Sequence, residues 1–238
     1  MDKPIVTLFL LMSVDGKIST GDIDERDVDR DFPKIDGIRN GLNQYYEIEK
    51  TTDLFSMNSG KVMAKVGANS WLNKDNLDKI PVSFILIDNK PHLNEMGVEY
   101  FIKMTKKIYL VTTNENHPAF KYKDIENLQI IYYEKKINFI DLFKELKCKY
   151  NIEKMTLQTG GTLNSIILRN NLIDKLSVVV APALIGGKNT STLIDGESIK
   201  SFDELKGIKA LKLVDIIKLD NSYINLKYEI INETKIIN

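Results

Sequence analysis

Three short stretches place glycine beside polar or charged residues at the end of an apolar run: Ser13-Val14-Asp15-Gly16-Lys17, Asn58-Ser59-Gly60-Lys61 and Gly160-Gly161-Thr162. In the third, two glycines before a helical pattern let a ligand approach the backbone. The amides and positive dipole end of a helix starting near Thr162 then favour phosphate. A dinucleotide pyrophosphate suits such a turn, but so does no ligand at all, the glycines serving only a tight strand-to-helix connection. The stretch is neither G-x-G-x-x-G nor Walker A, and Gly186-Gly187-Lys188 lacks the first glycine and the following Ser/Thr of a P-loop. Lys61 sets an ammonium where it could meet the 2′-phosphate that separates NADP from NAD, or could simply lie in solvent. Asp15 could project into a crevice and accept hydrogen bonds from a heterocycle or ribose hydroxyl, or could close its own loop as an Asx-turn. Gln158 both donates and accepts without titrating, which suits orientation better than proton transfer.

Other chemistries find little support. Cys148 is the only cysteine and His92 and His117 the only histidines, so a disulfide framework or a Cys-based zinc site is excluded and no metal is expected. No serine nucleophile elbow occurs, Cys148 lies between two lysines on a helical stretch, and both histidines neighbour prolines in turn-like segments. The 33 Lys and Arg balance 33 Asp and Glu, which argues against nucleic acid as a partner and leaves a small molecule. No apolar run approaches the roughly 18 residues of a membrane span. The apolar stretch from Ile5 to Met12 runs straight into Asp15 and Lys17 rather than a small-residue cleavage site, so it reads as a strand and the expected compartment is the cytoplasm.

These loops need a scaffold, and the apolar pattern supplies one. Short runs at 5–12, 53–57, 82–87, 107–112, 128–133, 155–159 and 176–181 read as buried strands. Helical periods fall at 139–150 and 162–172, with a weaker one at 37–50 that contains Gly41. Ile224, Leu226, Tyr228 and Ile230 alternate with polar residues, and Asp220-Asn221-Ser222 turns them back on 211–219, an antiparallel hairpin. The expected fold is α/β: a mixed, mostly parallel sheet flanked by helices, ending in that hairpin, as one domain over 1–238. In such sheets ligands sit at the carboxyl ends of the strands, where the three loops lie.

Val6-Thr7-Leu8, Met12-Ser13-Val14-Asp15-Gly16-Lys17-Ile18, Gly160-Gly161-Thr162-Leu163-Asn164-Ser165, Leu172-Ile173-Asp174-Lys175-Leu176, Ala181-Pro182 and Leu184-Ile185-Gly186-Gly187 occur in this order. Together they resemble the reductase domain of bacterial riboflavin biosynthesis, the RibD C-terminal domain family of the dihydrofolate-reductase-like superfamily. The resemblance implies an NADPH-dependent reductase acting on a pyrimidine- or pterin-like substrate, often a homodimer; the alternatives are a dihydrofolate-reductase-like enzyme with another substrate and an NADPH-binding module without catalysis. It implies cofactor contacts from Gly160, Gly161, Thr162, Leu163 and Asn164, from Leu11 on the first strand, and from the Gly60-Lys61 turn. Asp15 and Gln158 fall on the substrate side, and no catalytic residue is named.

The substrate side departs from the family pattern. Phe9 stands where the family has lysine, Gln158 where it has glutamate, and Gly60 and Ala64 where it has threonine and aspartate. Glu47 and Glu49 flank Ile48, where arginines would grip a ribose phosphate, and such a dianion needs cationic or N–H partners. Neither H-x-E nor C-x-x-C is present, so the zinc deaminase that accompanies this reductase in the bifunctional enzyme is not expected.

Overall fold

A computed structural model describes residues 2–73 and 79–237. The elements run β1 (Ile5–Ser13), α1 (Val28–Asp31), α2 (Arg39–Glu49), β2 (Phe55–Ser59), α3 (Gly60–Val66), β3 (Ser83–Ile87), α4 (Glu95–Met104), β4 (Lys107–Thr112), β5 (Leu128–Tyr132), α5 (Phe139–Cys148), β6 (Lys154–Leu157), α6 (Gly161–Arg169), β7 (Lys175–Ala181), β8 (Ala210–Lys218) and β9 (Ile224–Ile231). The strands form one sheet of nine in the order β5-β4-β3-β2-β6-β1-β7-β9-β8. β5 through β7 are parallel, and β9 and β8 add an antiparallel end. The chain builds outward from β2 to β5 and returns to lay β6 between β1 and β2, which makes that position the switch point of the sheet.

Strand alternation divides the core. Val6 and Leu8 of β1, Met57 of β2 and Met155 and Leu157 of β6 face one side, where they meet Leu142, Phe143 and Leu146 of α5 and Ile167 of α6. Phe9 and Leu11 face the other side and pack on Leu42 and Tyr45 of α2. Farther along, Val98 and Phe101 of α4 cover Leu86, Ile108 and Leu110. On this second face, then, α2 covers one end and α4 the other. Between them the period of two turns Ser56, Asn58 and Thr156 to that face, in the register Ser56 opposite Thr156.

Helices α3, α4 and α5 start at side-chain caps. Asn138 accepts from the amides of Ile140 and Asp141, Asn94 from Gly97, and Ser59 from Val62. Helix α2 runs through Gly41 because the ring of Tyr223 on the hairpin occupies the space of a side chain, with a ring carbon 2.4 Å from where a Cβ would stand. The helix propensity lost at glycine is offset by that close packing.

The expected strands and the hairpin are all present, with their ends shifted. Helices α1, α3 and α4 were not expected. The first two are too short to show a period, and what reads as a Gly60-Lys61 turn is the opening of α3.

Candidate functional site

Two cavities open at the carboxyl ends of β1, β2 and β6. The smaller, of about 290 Å³, is walled by Leu11, the loop after β1, the start of α3 and the Gly160–Leu163 turn. The larger, of about 880 Å³, lies over the gap between α2 and α4, with Ser56, Asn58 and Gln158 on the sheet side and Met63, Phe84 and Phe101 among its apolar walls. Both fall near the size range of small-ligand sites. Leu10, Asp29, Tyr45, Val62, Val66 and Gln158 line both, so the cavities meet there.

The two glycines before α6 serve different ends. Nothing stands within 4 Å of a Cβ added to Gly160, which faces open space, whereas one added to Gly161 would meet the Thr192 carbonyl oxygen at 2.2 Å and Asp195 Oδ2 at 2.4 Å. Gly161 is therefore glycine because the 192–195 loop packs on it, an arrangement held by Asp195 N donating to the Gly161 carbonyl and Thr192 donating to Asp195 Oδ1. Gly160 is the cap position of α6, so no side chain competes for the first-turn amides. Lys61 lines this cavity, its ammonium exposed and 3.4 Å from Asp24. Lys65 is committed to Asp27 at 3.2 Å in a pair that is 15% and 12% exposed.

A polar chain crosses the floor of the larger cavity. Asn58 Nδ2 donates to Ser56 Oγ at 2.8 Å, Ser56 Oγ donates to Gln158 Oε1 at 2.9 Å, and Gln158 Nε2 donates to Glu49 Oε1 at 2.5 Å. The direction of these bonds fixes the Gln158 amide, whose N–H points at a carboxylate. Nearby, Tyr46 donates to Asp29 Oδ1 at 2.8 Å. Burial pushes the Asp29 carboxyl up to about 6 against the Tyr46 bond, and the charges of Asp27 and Glu49 add to the rise. Burial also raises Glu49, partly offset by the bond from Gln158. The Tyr45 hydroxyl is held well above its ordinary value by burial and by Glu49 and Asp29.

Among the residues picked from sequence, Leu11, Lys61, Gly160, Gly161, Thr162 and Leu163 line the smaller cavity, and Gln158 lines both. Three of the expected residues stand away from the cavity linings. Asp15 lies outside both cavities, because its carboxylate accepts from Ser13 Oγ, Ile185 N and Gly186 N and ties the β1 loop to the 185–186 turn. The Ser13 hydroxyl and the Gly186 amide hold its carboxyl at about 2. Asn164 is buried and turned inward: it accepts from Thr159 Oγ1 and donates to the Leu193 carbonyl. Gly60 is buried behind the cavity wall, where a Cβ would stand 2.2 Å from the Asp88 carboxyl carbon.

Asp88 in turn accepts from His92 Nδ1 at 2.9 Å, His117 Nε2 at 3.1 Å and the amides of His92 and Leu93. Both histidines thus belong to a node behind α3. The site residues that sequence reasoning did not single out are Asp29, Tyr45, Tyr46 and Ser56, with Asn58 noted only as the start of its loop and Glu49 only as standing where a cation was expected.

A mostly parallel α/β sheet with a double crevice at its switch point is the architecture of a protein that binds small ligands at the carboxyl ends of its strands. The chain belongs to the RibD C-terminal domain family, whose model matches residues 4–224. It is 40% identical over 62 residues to the 2,5-diamino-6-ribosylamino-4(3H)-pyrimidinone 5′-phosphate reductase of Methanothermobacter thermautotrophicus, a match covering 26% of this chain and 27% of that protein. Such matches span less than half the length of the curated relatives. In fold it is similar to Acinetobacter baumannii RibD, with a TM-score of 0.67 at 17% identity over 97% of this chain and 59% of that one. It is also similar to the Saccharomyces riboflavin biosynthesis reductase Rib7, with a TM-score of 0.59 at 15% identity over 97% and 91%.

Proposed function

We propose that the chain is a single-domain NADPH-dependent reductase that transfers hydride to a ribosylaminopyrimidine phosphate of the riboflavin pathway, the kind of substrate named for its relatives. The observation that carries this reading is the meeting of two cavities at the switch point, one lined by the Gly160–Leu163 turn that opens α6 and the other floored by a hydrogen-bonding chain. The open space at Gly160 and the uncapped first turn of α6 fit a pyrophosphate. The exposed Lys61 ammonium, in a direct but solvent-exposed 3.4 Å pair with Asp24, is free to exchange onto the 2′-phosphate. Leu11, Thr162 and Leu163 would hold the rest of the cofactor, which when bound supplies the hydride.

On the substrate side, Glu49 offers an acceptor to exocyclic amino groups, while Ser56, Asn58 and Gln158 orient the ring. Among the described residues of the larger cavity the only cation is Lys50, which Glu47 engages at 2.6 Å. That shortage favours a second reading, in which a pyrimidine or pterin without a phosphate is reduced.

The outermost strand, β8, leaves Leu211, Leu213, Val214 and Ile216 between 44% and 57% exposed, an apolar edge that suits pairing with a second copy. We therefore infer a homodimer, working in the cytoplasm with the other biosynthetic reductases. NADPH titration followed by thermal shift, absorbance at 340 nm with each candidate substrate, and sedimentation test the whole. Binding of NADPH in preference to NADH, turnover of the ribosylaminopyrimidine phosphate and a dimer mass are expected. No stabilisation at millimolar NADPH refutes the reading, and oxidation only with a phosphate-free pterin supports the second one.

A further inference from the structure

A ribosylamino group carries a C=N bond in its ring-opened form, where the ring oxygen has already left as a hydroxyl, and reduction of that bond needs two partners at one place. Hydride goes to carbon from the dihydronicotinamide, and the π pair displaced onto nitrogen must be met by a proton. The proton has to come from the wall that both cavities share, because only there do cofactor and substrate adjoin. The polar groups on that wall, among the described residues, are Asp29, Tyr45 and Gln158.

Two of the three are unsuitable. Gln158 is an amide whose oxygen and nitrogen are already engaged by Ser56 and Glu49. The Tyr45 phenol, buried against the charges of Glu49 and Asp29, binds its proton more tightly than an ordinary tyrosine. Asp29 differs in kind. It sits at the start of α1, half-buried, with Oδ1 held by the Tyr46 hydroxyl at 2.8 Å and its backbone N–H bonded to Asp27 Oδ1 at 3.0 Å.

We propose that Asp29 is the proton donor of the reaction, delivering its carboxyl proton to the substrate nitrogen as hydride reaches the adjacent carbon. The product is the amine, the carboxylate remains, and water at the cavity mouth returns the proton. This step rests on the reductase reading above. The groups facing Asp29 are Asp27 ahead of α1, with its partner Lys65 on α3, and Tyr45, Tyr46 and Glu49 on α2. The burial and the neighbouring carboxylates that raise Asp29 keep a protonated fraction near neutral pH, where an unperturbed aspartate would have almost none. Tyr46 fixes the direction of the carboxyl and is a positioning residue.

The test combines titration with turnover. In the apoenzyme with ¹³C-labelled aspartate carboxyls, the resonance lost in Asp29→Asn should titrate near pH 6; a midpoint near 4 overturns the proposal. In steady-state assays with 2,5-diamino-6-ribosylamino-4(3H)-pyrimidinone 5′-phosphate, kcat/KM of the unaltered protein should fall as pH rises above about 6. Asp29→Asn should lower kcat by about 100-fold or more, abolish that descending limb and leave NADPH affinity within twofold, while Asp29→Glu should keep part of the rate. Turnover by the Asp29→Asn protein within threefold of normal, with the same pH profile, refutes the role of Asp29 alone. Failure of the unaltered protein to oxidise NADPH with any candidate substrate refutes the reductase reading and this proposal with it.

Discussion

Replacing Asp29 by Asn should stabilise the protein at high pH and do almost nothing at low pH. The folded carboxyl titrates at about 6 against an ordinary value of 3.8. Its proton therefore binds more tightly in the folded state, and the associated stability is complete below pH 3.8 and lost as pH rises through 6. Each tenfold change in proton affinity is worth about 1.4 kcal/mol, so the loss by pH 8 is at most about 3 kcal/mol. Partial contact with solvent, and the favourable place of an acid in the first turn of a helix, reduce this to about 1–2 kcal/mol. Asparagine keeps the acceptor for Tyr46 and never ionises. At about 2–4 °C per kcal/mol for a chain of this size, the variant should melt about 2–8 °C higher at pH 8 and within a degree or so of the parent near pH 3.5. Calorimetry or urea denaturation at the two pH values decides it. Equal stability at pH 8, or a difference that does not change with pH, would show that Asp29 titrates as an ordinary surface aspartate.

Two further predictions concern the loops. Gly161→Ala should cost about 1–3 kcal/mol in urea denaturation, because the Thr192 carbonyl and Asp195 cannot both retreat, whereas Gly160→Ala should fold normally and weaken NADPH binding by filling open space. Asp15→Asn should leave cofactor and substrate affinity unchanged in titrations. It should instead remove a contribution to acid stability that is present above pH 3.8 and lost as pH falls through about 2, so the two proteins should converge at the lowest pH.

The sheet was legible because apolar runs such as 107–112 and 176–181 are buried on both faces, and the hairpin because 224–230 alternates. What the sequence hid was tertiary. Gly41 weakens a helical pattern on any local scale, and only Tyr223, far along the chain, explains it. Asp29 lies within an acid-rich stretch, 22–31, indistinguishable by composition from a solvated loop, and its rise comes first from burial in the fold, with Asp27 and Glu49 adding to it against the Tyr46 bond. One signal was available: Ser56 and Asn58 in β2, and Thr156 with Gln158 just past the end of β6, are polar at alternate positions beside apolar Met57, Met155 and Leu157, which marks a polar patch on a buried sheet. Asp15 stayed ambiguous in the sequence because an Asx-type loop closure and a ligand contact look alike until the partners are known.

The late return of β6 bears on how the protein reaches its native state. Its partners β1 and β2 are never neighbours of each other, since β6 lies between them. The hydrogen-bonding floor therefore joins Ser56 to Gln158 across 102 positions of chain. Until residues 154–157 arrive, β1 and β2 each carry an unsatisfied edge, and the ligand crevice does not exist even in outline. Pairings of such long range form slowly and expose the chain to association while they wait. The same insertion that creates the crevice makes it one of the last parts of the molecule to be born, so binding competence should report completion of folding and no intermediate stage of it.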